Sequence, residues 1–270
     1  MSTVTKSTKP TITEPVSPDL KKVMRQLKLG RMLDTLPERL ILARQQHLSH
    51  TAFLELILTD EATRRDTSSA ARRARTAGLD PAMRLDTWDE TATIRYDRTL
   101  WTDLTSLRFL DAAHGAVLLG AVGVGKTHLA TALGHIAVRR RVPTLMLRAD
   151  AMFKRLKASR LDNSTEAELR RLAQVQLLII DDCALQPMDA TATADFYELV
   201  VARHQRSATI VTSNRGPDEW LSVMTDAMLA ESAVDRLTST AHELIIEGPS
   251  YRQRQKPGVD TPAGTPDHPH

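Results

Sequence analysis

Cysteine is nearly absent from this sequence, since Cys183 is the only one among 270 residues. A single cysteine excludes an internal disulfide and suits a reducing compartment. The sequence also lacks an apolar run long enough to cross a membrane, and its first residues lack the apolar segment of a secretory signal. These absences predict a soluble, cytoplasmic protein.

Aromatic residues are also scarce, at 4% of the chain, whereas hydrophobic residues make up 41%. The core is therefore expected to be mostly aliphatic. A chain of this length suits one large domain with a smaller companion. No internal repeats are present.

The formal net charge is only +3, but the charge is unevenly distributed. Residues 1–80 carry 14 Lys and Arg against 9 Asp and Glu, whereas the remainder is slightly acidic. A basic N-terminal part in front of a near-neutral remainder suggests an anionic macromolecular partner.

Residue patterns divide the chain into four segments. Residues 1–18 and 255–270 are polar and rich in proline and threonine, which predicts disorder. Residues 19–80 space their apolar residues as helices do, with Ser49 positioned to cap a long third helix, and predict a small all-helical domain. Residues 81–254 begin with a linker and then alternate strands with helices, which predicts a parallel sheet with helices on both faces.

The second strand of this α/β segment is the apolar run 144–147, and Asp150 is the predicted N-cap of the helix that follows it. The fourth strand is expected to end at residue 211. The remaining predicted strands are 117–119, 177–180 and 244–246.

Gly120–Thr127 reads Gly-Ala-Val-Gly-Val-Gly-Lys-Thr and fits G-x-x-x-x-G-K-[ST], the phosphate-binding P-loop. An apolar strand precedes the motif and a helical segment follows it, which is the context the motif requires. Backbone N–H groups, a helix N-terminus and Lys126 together suit a triphosphate. The alternative is a glycine turn that happens to contain a lysine.

Asp181 and Asp182 directly follow the apolar run 177–180. A carboxylate at the end of a buried strand can hold Mg²⁺, and a second one can orient the attacking water. This pattern indicates an ATPase site because it follows a P-loop at a suitable distance. The alternative is a strand that simply ends in an acidic turn.

Two polar positions farther along the chain fit the same chemistry. Asn214 ends the polar sequence after the fourth strand and can hydrogen-bond a phosphate or a water, but taken alone it better suits an ordinary polar turn. Arg236 follows Asp235 and can act as an arginine finger, which is worth on the order of 10³–10⁵ in rate. Without further context, an ordinary surface pair on a helix is the better explanation of Asp235 and Arg236.

The third predicted helix carries an apolar stripe in its first half and arginines on the continuation of that stripe. This basic half can contact a phosphate backbone. It can equally be a solvated helix end whose basic residues interact with the helix dipole. The candidate DNA-binding residues are Arg64, Arg65, Arg72 and Arg75.

The motifs in their order resemble one family. They are the P-loop, Leu-Leu-Ile-Ile-Asp-Asp, Thr-Ser-Asn-Arg, Asp-Arg-Leu and Gly-Pro-Ser-Tyr-Arg, preceded by Leu-Lys-Leu-Gly-Arg-Met near the N-terminus. This order resembles the IstB-type ATP-binding proteins, the transposition helper ATPases of bacterial insertion sequences. They are AAA+ ATPases related to DnaC-type helicase loaders. The resemblance spans roughly residues 20–255 and implies an AAA+ three-layer domain behind a small all-helical domain.

The resemblance also implies roles for individual residues. Lys126 and Thr127 match the phosphate-binding lysine and the Mg²⁺-binding hydroxyl. Asp181 matches the second Mg²⁺ ligand, Asp182 the catalytic carboxylate, and Asn214 the sensor 1 residue on a strand between the P-loop and Asp181 strands. The implied nucleotide-binding residues are Gly120, Gly123, Val124, Gly125, Lys126, Thr127, His128 and Arg252.

Arg236 matches a finger that a neighbouring subunit supplies, so the resemblance implies an ATP-dependent oligomer. It further implies ATP and Mg²⁺ as cofactors, double-stranded DNA as a partner, and a transposase encoded alongside that is recruited or stimulated. Two alternatives stay open: a helicase loader with the same ATPase core, and a nucleotide-dependent DNA scaffold that does not hydrolyse ATP.

Two positions depart from the family pattern. Ala121-Val122 occupy a position where the family usually has a proline-containing pair. Neither residue is proline, so the backbone N–H donors of the loop are kept. Asp182 stands where many AAA+ proteins have Glu, and its shorter side chain predicts slow hydrolysis. The family resemblance further implies that this hydrolysis depends on Mg²⁺ and is stimulated by DNA.

Overall fold

The structure is a computed structural model that describes residues 16–88 and 94–251. The predicted disordered segments fall outside these ranges, apart from residues 16–18, and so does Arg252.

The chain divides into two compact units, residues 1–69 and 70–270. The division falls within the third helix, upstream of the predicted boundary at residue 80. The first unit contains α1 (Pro18–Gln26), α2 (Leu36–Gln45) and most of α3 (His50–Thr76). Its core is small and consists of Met24, Met32 and Leu36.

The second unit contains the last turns of α3 and a sheet of five strands. Its strands are β1 (Gly115–Gly120), β2 (Thr144–Arg148), β3 (Leu177–Asp181), β4 (Ala208–Ser213) and β5 (Ala241–Ile246). Its helices are α4 (Arg98–Ser106), α5 (Lys126–Arg139), α6 (Ala149–Ser159), α7 (Thr165–Gln174), α8 (Ala190–Arg203), α9 (Pro217–Trp220) and α10 (Ala227–Thr238).

All the strand pairs of the sheet are parallel, and the strand order is β2-β3-β4-β1-β5. Alternate residues of the central strands enter two separate cores, because successive side chains of a strand point to opposite faces. Leu118 and Ile179 pack with α5 on one face. Leu178 and Val211 pack with α6, α7, α8 and α10 on the other. Burial on both faces explains why these strands read as continuous apolar runs.

Two local predictions were wrong. The helix after β2 begins at Ala149 with Arg148 as its N-cap residue, so Asp150 lies inside the first turn. Strand β4 extends to Ser213, because the register pairs Thr212 with Leu118 and Ser213 with Leu119 of β1. Thr212 and Ser213 are therefore buried strand residues and not a turn.

Among the residues that the structure describes, no helix is long and apolar enough to cross a membrane.

Candidate nucleotide site

The carboxyl ends of β1, β3 and β4 meet at one edge of the sheet and surround a cavity of about 620 Å³. The sequence-predicted residues that line it are Gly123, Val124, Gly125, Lys126, Thr127, His128, Asp182 and Asn214. The structure therefore brings together three motifs that are far apart in the chain.

The P-loop has a backbone that requires glycine at three positions, Gly120, Gly123 and Gly125. Gly123 and Gly125 adopt φ values of 87° and 100°, a region that side chains rarely tolerate. A Cβ on Gly125 would lie 2.5 Å from the Trp88 ring, and one on Gly123 would overlap Ser250. The backbone N–H of Tyr251 also donates to the Gly123 carbonyl oxygen at 2.9 Å. The segment after β5 thus packs directly on the loop.

Lys126 opens α5 and is buried. Its Nζ donates to the carbonyl oxygens of Gly120 at 2.7 Å and Ala121 at 2.8 Å. The ammonium group is therefore held inside the curl of the loop, where a phosphate group would also have to lie.

A hydroxyl–carboxylate network joins α5 to the ends of β3 and β4. Asp181 Oδ1 accepts from Thr127 Oγ1 at 2.9 Å and from Thr212 Oγ1 at 2.6 Å. The Thr212 hydroxyl in turn accepts from the Asp182 backbone N–H at 2.9 Å. One buried threonine thus positions both aspartates.

The Thr127 and Asp181 oxygens suit Mg²⁺, which prefers hard oxygen ligands and uses one or two carboxylates with phosphate and water oxygens. Across the described ranges, no group of three or more His, Cys, Asp or Glu side chains forms a metal site. The two protein oxygens of Thr127 and Asp181 leave positions for phosphate and water oxygens, so this donor set fits Mg²⁺ bound together with a phosphate ligand.

Asp182 lies in the left-handed region, with φ 54°, and its side chain is 36% exposed. Its Oδ2 atom lies 3.7 Å from Nη2 of Arg148, the last residue of β2. Arg148 also donates through Nε to Asp150 at 3.2 Å. The pKa of Arg148 is raised, first by the Asp150 hydrogen bond and then by the charges of Asp150 and Asp182. The Arg148 guanidinium thus places a positive charge beside the candidate catalytic carboxylate.

Neither Arg148 nor the bridging role of Thr212 was predicted from the sequence. Each is a polar residue at the end of an apolar strand, and that position was the available signal. The partners became visible only when the strand order placed β2 beside β3 and β4 between β3 and β1.

The linker before β1 forms the apolar side of the cavity. Met83, Trp88 and Ile94 line it, and the Trp88 ring meets the His128 ring edge-on at 5.1 Å between centroids. His128 Nε2 lies 2.8 Å from the Arg84 carbonyl oxygen. The sequence predicted a contribution from this segment but named no residue in it.

Arg236 is not part of this cavity. It lies near the end of α10, and its carbonyl oxygen lies 3.0 Å from Nδ1 of His204, the residue after α8. His204 precedes β4 and Arg236 precedes β5, so both lie at the end of the sheet where the strands begin. The P-loop lies at the opposite end, where the strands finish. Its Nη1 donates to the Ser232 carbonyl oxygen at 2.8 Å, and its guanidinium lies 5.9 Å from the Tyr197 ring centroid.

The four candidate DNA-binding arginines of α3 differ in their surroundings. Arg64 and Arg65 donate to buried Glu61 at 2.7–2.8 Å. The pKa of Glu61 is lowered to about 2, mainly by the hydrogen bond from Arg64. Arg72 and Arg75 are exposed and have no ion pair with any carboxylate in the described ranges.

The sheet is parallel, with the strand order β2-β3-β4-β1-β5. A P-loop follows β1, an aspartate pair lies at the end of β3, and β4 ends in polar residues. These features together define a P-loop ATP-binding protein of the AAA+ class. Solved structures share the fold. The chain aligns with a crystal structure of DnaI at a TM-score of 0.53 and 22% identity, covering 61% of this chain and 90% of that one. It aligns with the replication initiator DnaA, bound to AMPPCP and single-stranded DNA, at a TM-score of 0.50 and 19% identity, covering 61% and 50%.

The chain belongs to the family of IstB-like ATP binding proteins, whose model matches residues 22–258. It is 37% identical over 245 residues to a putative ATP-binding protein in an insertion sequence of Mycobacterium tuberculosis, covering 90% of this chain and 98% of the relative. It is 31% identical over 250 residues to the insertion sequence IS21 putative ATP-binding protein of Pseudomonas aeruginosa, covering 92% and 94%. The family resemblance stated from the motifs is thereby confirmed.

Proposed function

We propose that this protein binds ATP with Mg²⁺, assembles on double-stranded DNA in the ATP-bound state, and recruits or stimulates a transposase encoded alongside it. Slow hydrolysis then limits the lifetime of the assembly. The observation that carries the proposal is the network in which Thr127 of the P-loop and Thr212 of β4 hold Asp181, with Lys126, Asp182 and Asn214 lining one cavity.

Each residue of the cavity has a chemical role in this proposal. The P-loop N–H groups and the Lys126 ammonium bind the phosphates. Thr127 and Asp181 hold Mg²⁺, which neutralises charge on the phosphate oxygens when bound. Asp182 orients the attacking water, and Asn214 hydrogen-bonds that water or the γ-phosphate. Val124 and His128 belong to the nucleotide-binding loop and helix start, and Arg252 remains a proposed nucleotide contact outside the described residues.

Arg236 completes the site of a neighbouring copy. Its position at the sheet edge opposite the P-loop prevents it from reaching its own nucleotide, since α10 and the strands separate the two. A finger that acts in trans makes hydrolysis depend on assembly.

The DNA and transposase partners are supported by the insertion-sequence context of the relatives in Mycobacterium tuberculosis and Pseudomonas aeruginosa. The basic balance of residues 1–80 is consistent with an anionic partner.

The proposal is tested by sedimentation of the full chain with duplex DNA, with ATP or without nucleotide. We expect large complexes only when ATP, Mg²⁺ and DNA are all present, with affinity that falls steeply as salt rises. The Lys126→Ala variant is the matched control and should remain small. A monomer under all conditions would overturn the proposal.

The second candidate is a helicase loader with the same ATPase core, which the sequence motifs do not separate from the first. Co-purification from cells that carry the complete insertion sequence separates the two, because the first proposal expects the transposase and the second a replicative helicase. A scaffold that does not hydrolyse ATP is separated by single-turnover phosphate release with and without DNA.

A further inference from the structure

Three segments of the second unit, which together contain seven arginines, meet at the C-terminal end of α5. The Nε and Nη2 atoms of Arg73, on α3, donate to the Val138 carbonyl oxygen at 3.0 and 2.8 Å. Arg140 Nη1 donates to the carbonyl oxygen of Ser106, at the end of α4. We call this surface the basic edge and define it as Arg72, Arg73, Arg75, Arg108, Arg139, Arg140 and Arg141.

The basic edge contains little negative charge of its own. Segments 70–77, 106–114 and 137–143 contain seven arginines and one acidic residue, Asp111. Arg108 pairs with Asp103 from α4 at 2.9 Å. Arg72, Arg75 and Arg139 are exposed, and none of them has an ion pair with a carboxylate that the structure describes.

Helix chemistry explains only part of this arrangement. Basic residues are favoured at helix C-termini, and Arg73 adds a side-chain donor to the Val138 carbonyl oxygen, which also accepts from the Arg141 backbone N–H at 3.1 Å. These effects do not require Arg72, Arg75 and Arg139 to present their guanidinium groups to solvent. A planar guanidinium pairs with phosphate through two parallel hydrogen bonds, so a cluster of arginines suits a phosphate backbone.

We propose that the basic edge binds the phosphate backbone of duplex DNA, an inference that rests on the proposed function and places its DNA contact. The assignment keeps Arg72 and Arg75 from the sequence-based candidates and adds Arg139. It leaves Arg64 and Arg65 mainly to hold Glu61.

The location makes simultaneous binding of DNA and ATP possible. Helix α5 has 14 residues, begins at Lys126 and ends at Arg139. At a rise of 1.5 Å per residue it separates the phosphate site from the basic edge by about 21 Å. One rigid helix, buried along most of its length, thus joins the nucleotide site to the DNA contact.

The test compares two triple variants of the full chain that remove the same charge. The test variant is Arg72→Gln, Arg75→Gln and Arg139→Gln. The control, on the opposite face of the sheet, is Lys154→Gln, Lys157→Gln and Arg170→Gln, whose side chains are exposed and paired with carboxylates. Binding of a labelled mixed-sequence duplex is measured with a non-hydrolysable ATP analogue over a range of salt concentrations.

The test variant should bind DNA at least about 10-fold more weakly at moderate salt, and its log–log salt slope should fall by about 2–3, since each lost phosphate contact removes about 0.9. The control should match the wild type. Both variants should keep wild-type affinity for the ATP analogue, which shows that they are folded.

A second measurement uses only the wild-type protein. Phenylglyoxal modification of arginines, read by mass spectrometry, should show DNA protecting Arg72, Arg75 and Arg139 but not Arg170.

Three results would overturn the inference. Normal DNA binding and salt slope in the test variant, without protection in the wild type, would refute the basic edge but leave the proposed function intact. Normal DNA binding together with lost transposase binding would identify the surface as a protein contact. A wild type that binds no DNA would refute the proposed function as well.

Discussion

At the scale of single residues, the hydroxyl of Thr212 determines where both aspartates lie. It donates to Asp181 and accepts from the Asp182 N–H within a fully buried environment. A donor and an acceptor on one rotating group suit this position, and neither valine nor alanine supplies them.

We predict that Thr212→Val reduces ATP hydrolysis by about 10-fold, equivalent to about 1.4 kcal/mol. The buried N–H of Asp182 loses its acceptor, and unfolding free energy should fall by about 1–3 kcal/mol. Phosphate release and thermal melting measure the two effects. Thr144→Val, on partly buried β2 at the other end of the sheet, is the control. Equal hydrolysis in both variants would show that the bridge is not needed.

Arg148 is the second residue that we expect to control the hydrolysis rate, because its guanidinium competes with the attacking water for the Asp182 carboxylate. We predict that Arg148→Gln raises ATP hydrolysis measured without DNA by about 2- to 5-fold, since an exposed ion pair is worth up to about 1 kcal/mol. Arg155→Gln, which breaks the 2.7 Å pair with Glu168 on the same side of the sheet, should leave the rate unchanged. A lower rate in Arg148→Gln would mean that the arginine assists hydrolysis.

At the scale of elements, the buried side chain of Arg203 at the end of α8 ties the end of α7 to the start of β4. Burial lowers its pKa to about 10, so it stays charged at neutral pH, although no carboxylate in the part of the chain that the structure describes pairs with it. Its guanidinium donates to the carbonyl oxygens of Leu172, Ala173, Val175 and Ala208 and to Thr209 Oγ1. Carbonyl dipoles replace a counter-ion here, and they fix the strand that carries Thr212.

We predict that Arg203→Met lowers the unfolding free energy by about 2–4 kcal/mol, because several buried carbonyl groups lose their donor. Denaturant titration measures the change. The exposed Arg206→Met is the control and should stay within about 0.5 kcal/mol of the wild type. If Arg203→Met is as stable as this control, water or relaxation of the chain replaces the lost donors.

At the scale of the whole molecule, each copy of the chain carries the P-loop and Arg236, the two halves of the proposed site, at opposite ends of the strands of its sheet. The P-loop follows β1, whereas Arg236 precedes β5. Two such halves meet when copies pack head to tail, an arrangement that forms rings or open filaments.

We predict that Asp182→Asn and Arg236→Ala, which both keep Lys126 and so should still bind ATP and assemble, are each inactive in ATP hydrolysis and that mixing them restores activity. In a random equal mixture, about a quarter of head-to-tail interfaces join an intact Asp182 to an intact Arg236, so about a quarter of wild-type activity should return. Phosphate release in the presence of DNA measures it. A mixture as inactive as its components would show that Arg236 does not act between subunits.

Local patterns were enough to predict part of this protein. The P-loop, the aspartate pair and the alternation of strands with helices depend on neighbouring residues, so the sequence indicated them and the structure agrees. The prediction for Asp150 failed because a helix start depends on where the preceding strand leaves the sheet. The end of β4 was missed because its register with β1 brings polar residues into the ladder.

The sequence by itself determined that a phosphate-binding loop stands at the head of a helix and that carboxylates follow a buried strand. Only the tertiary structure decided which side chains meet: Arg148 with Asp182, Thr212 with both aspartates, and Arg73 with the end of α5. The physical reason is that hydrogen bonds and ion pairs act over a few ångströms. Residues distant in the chain come within that range only when strand order and helix packing bring them together.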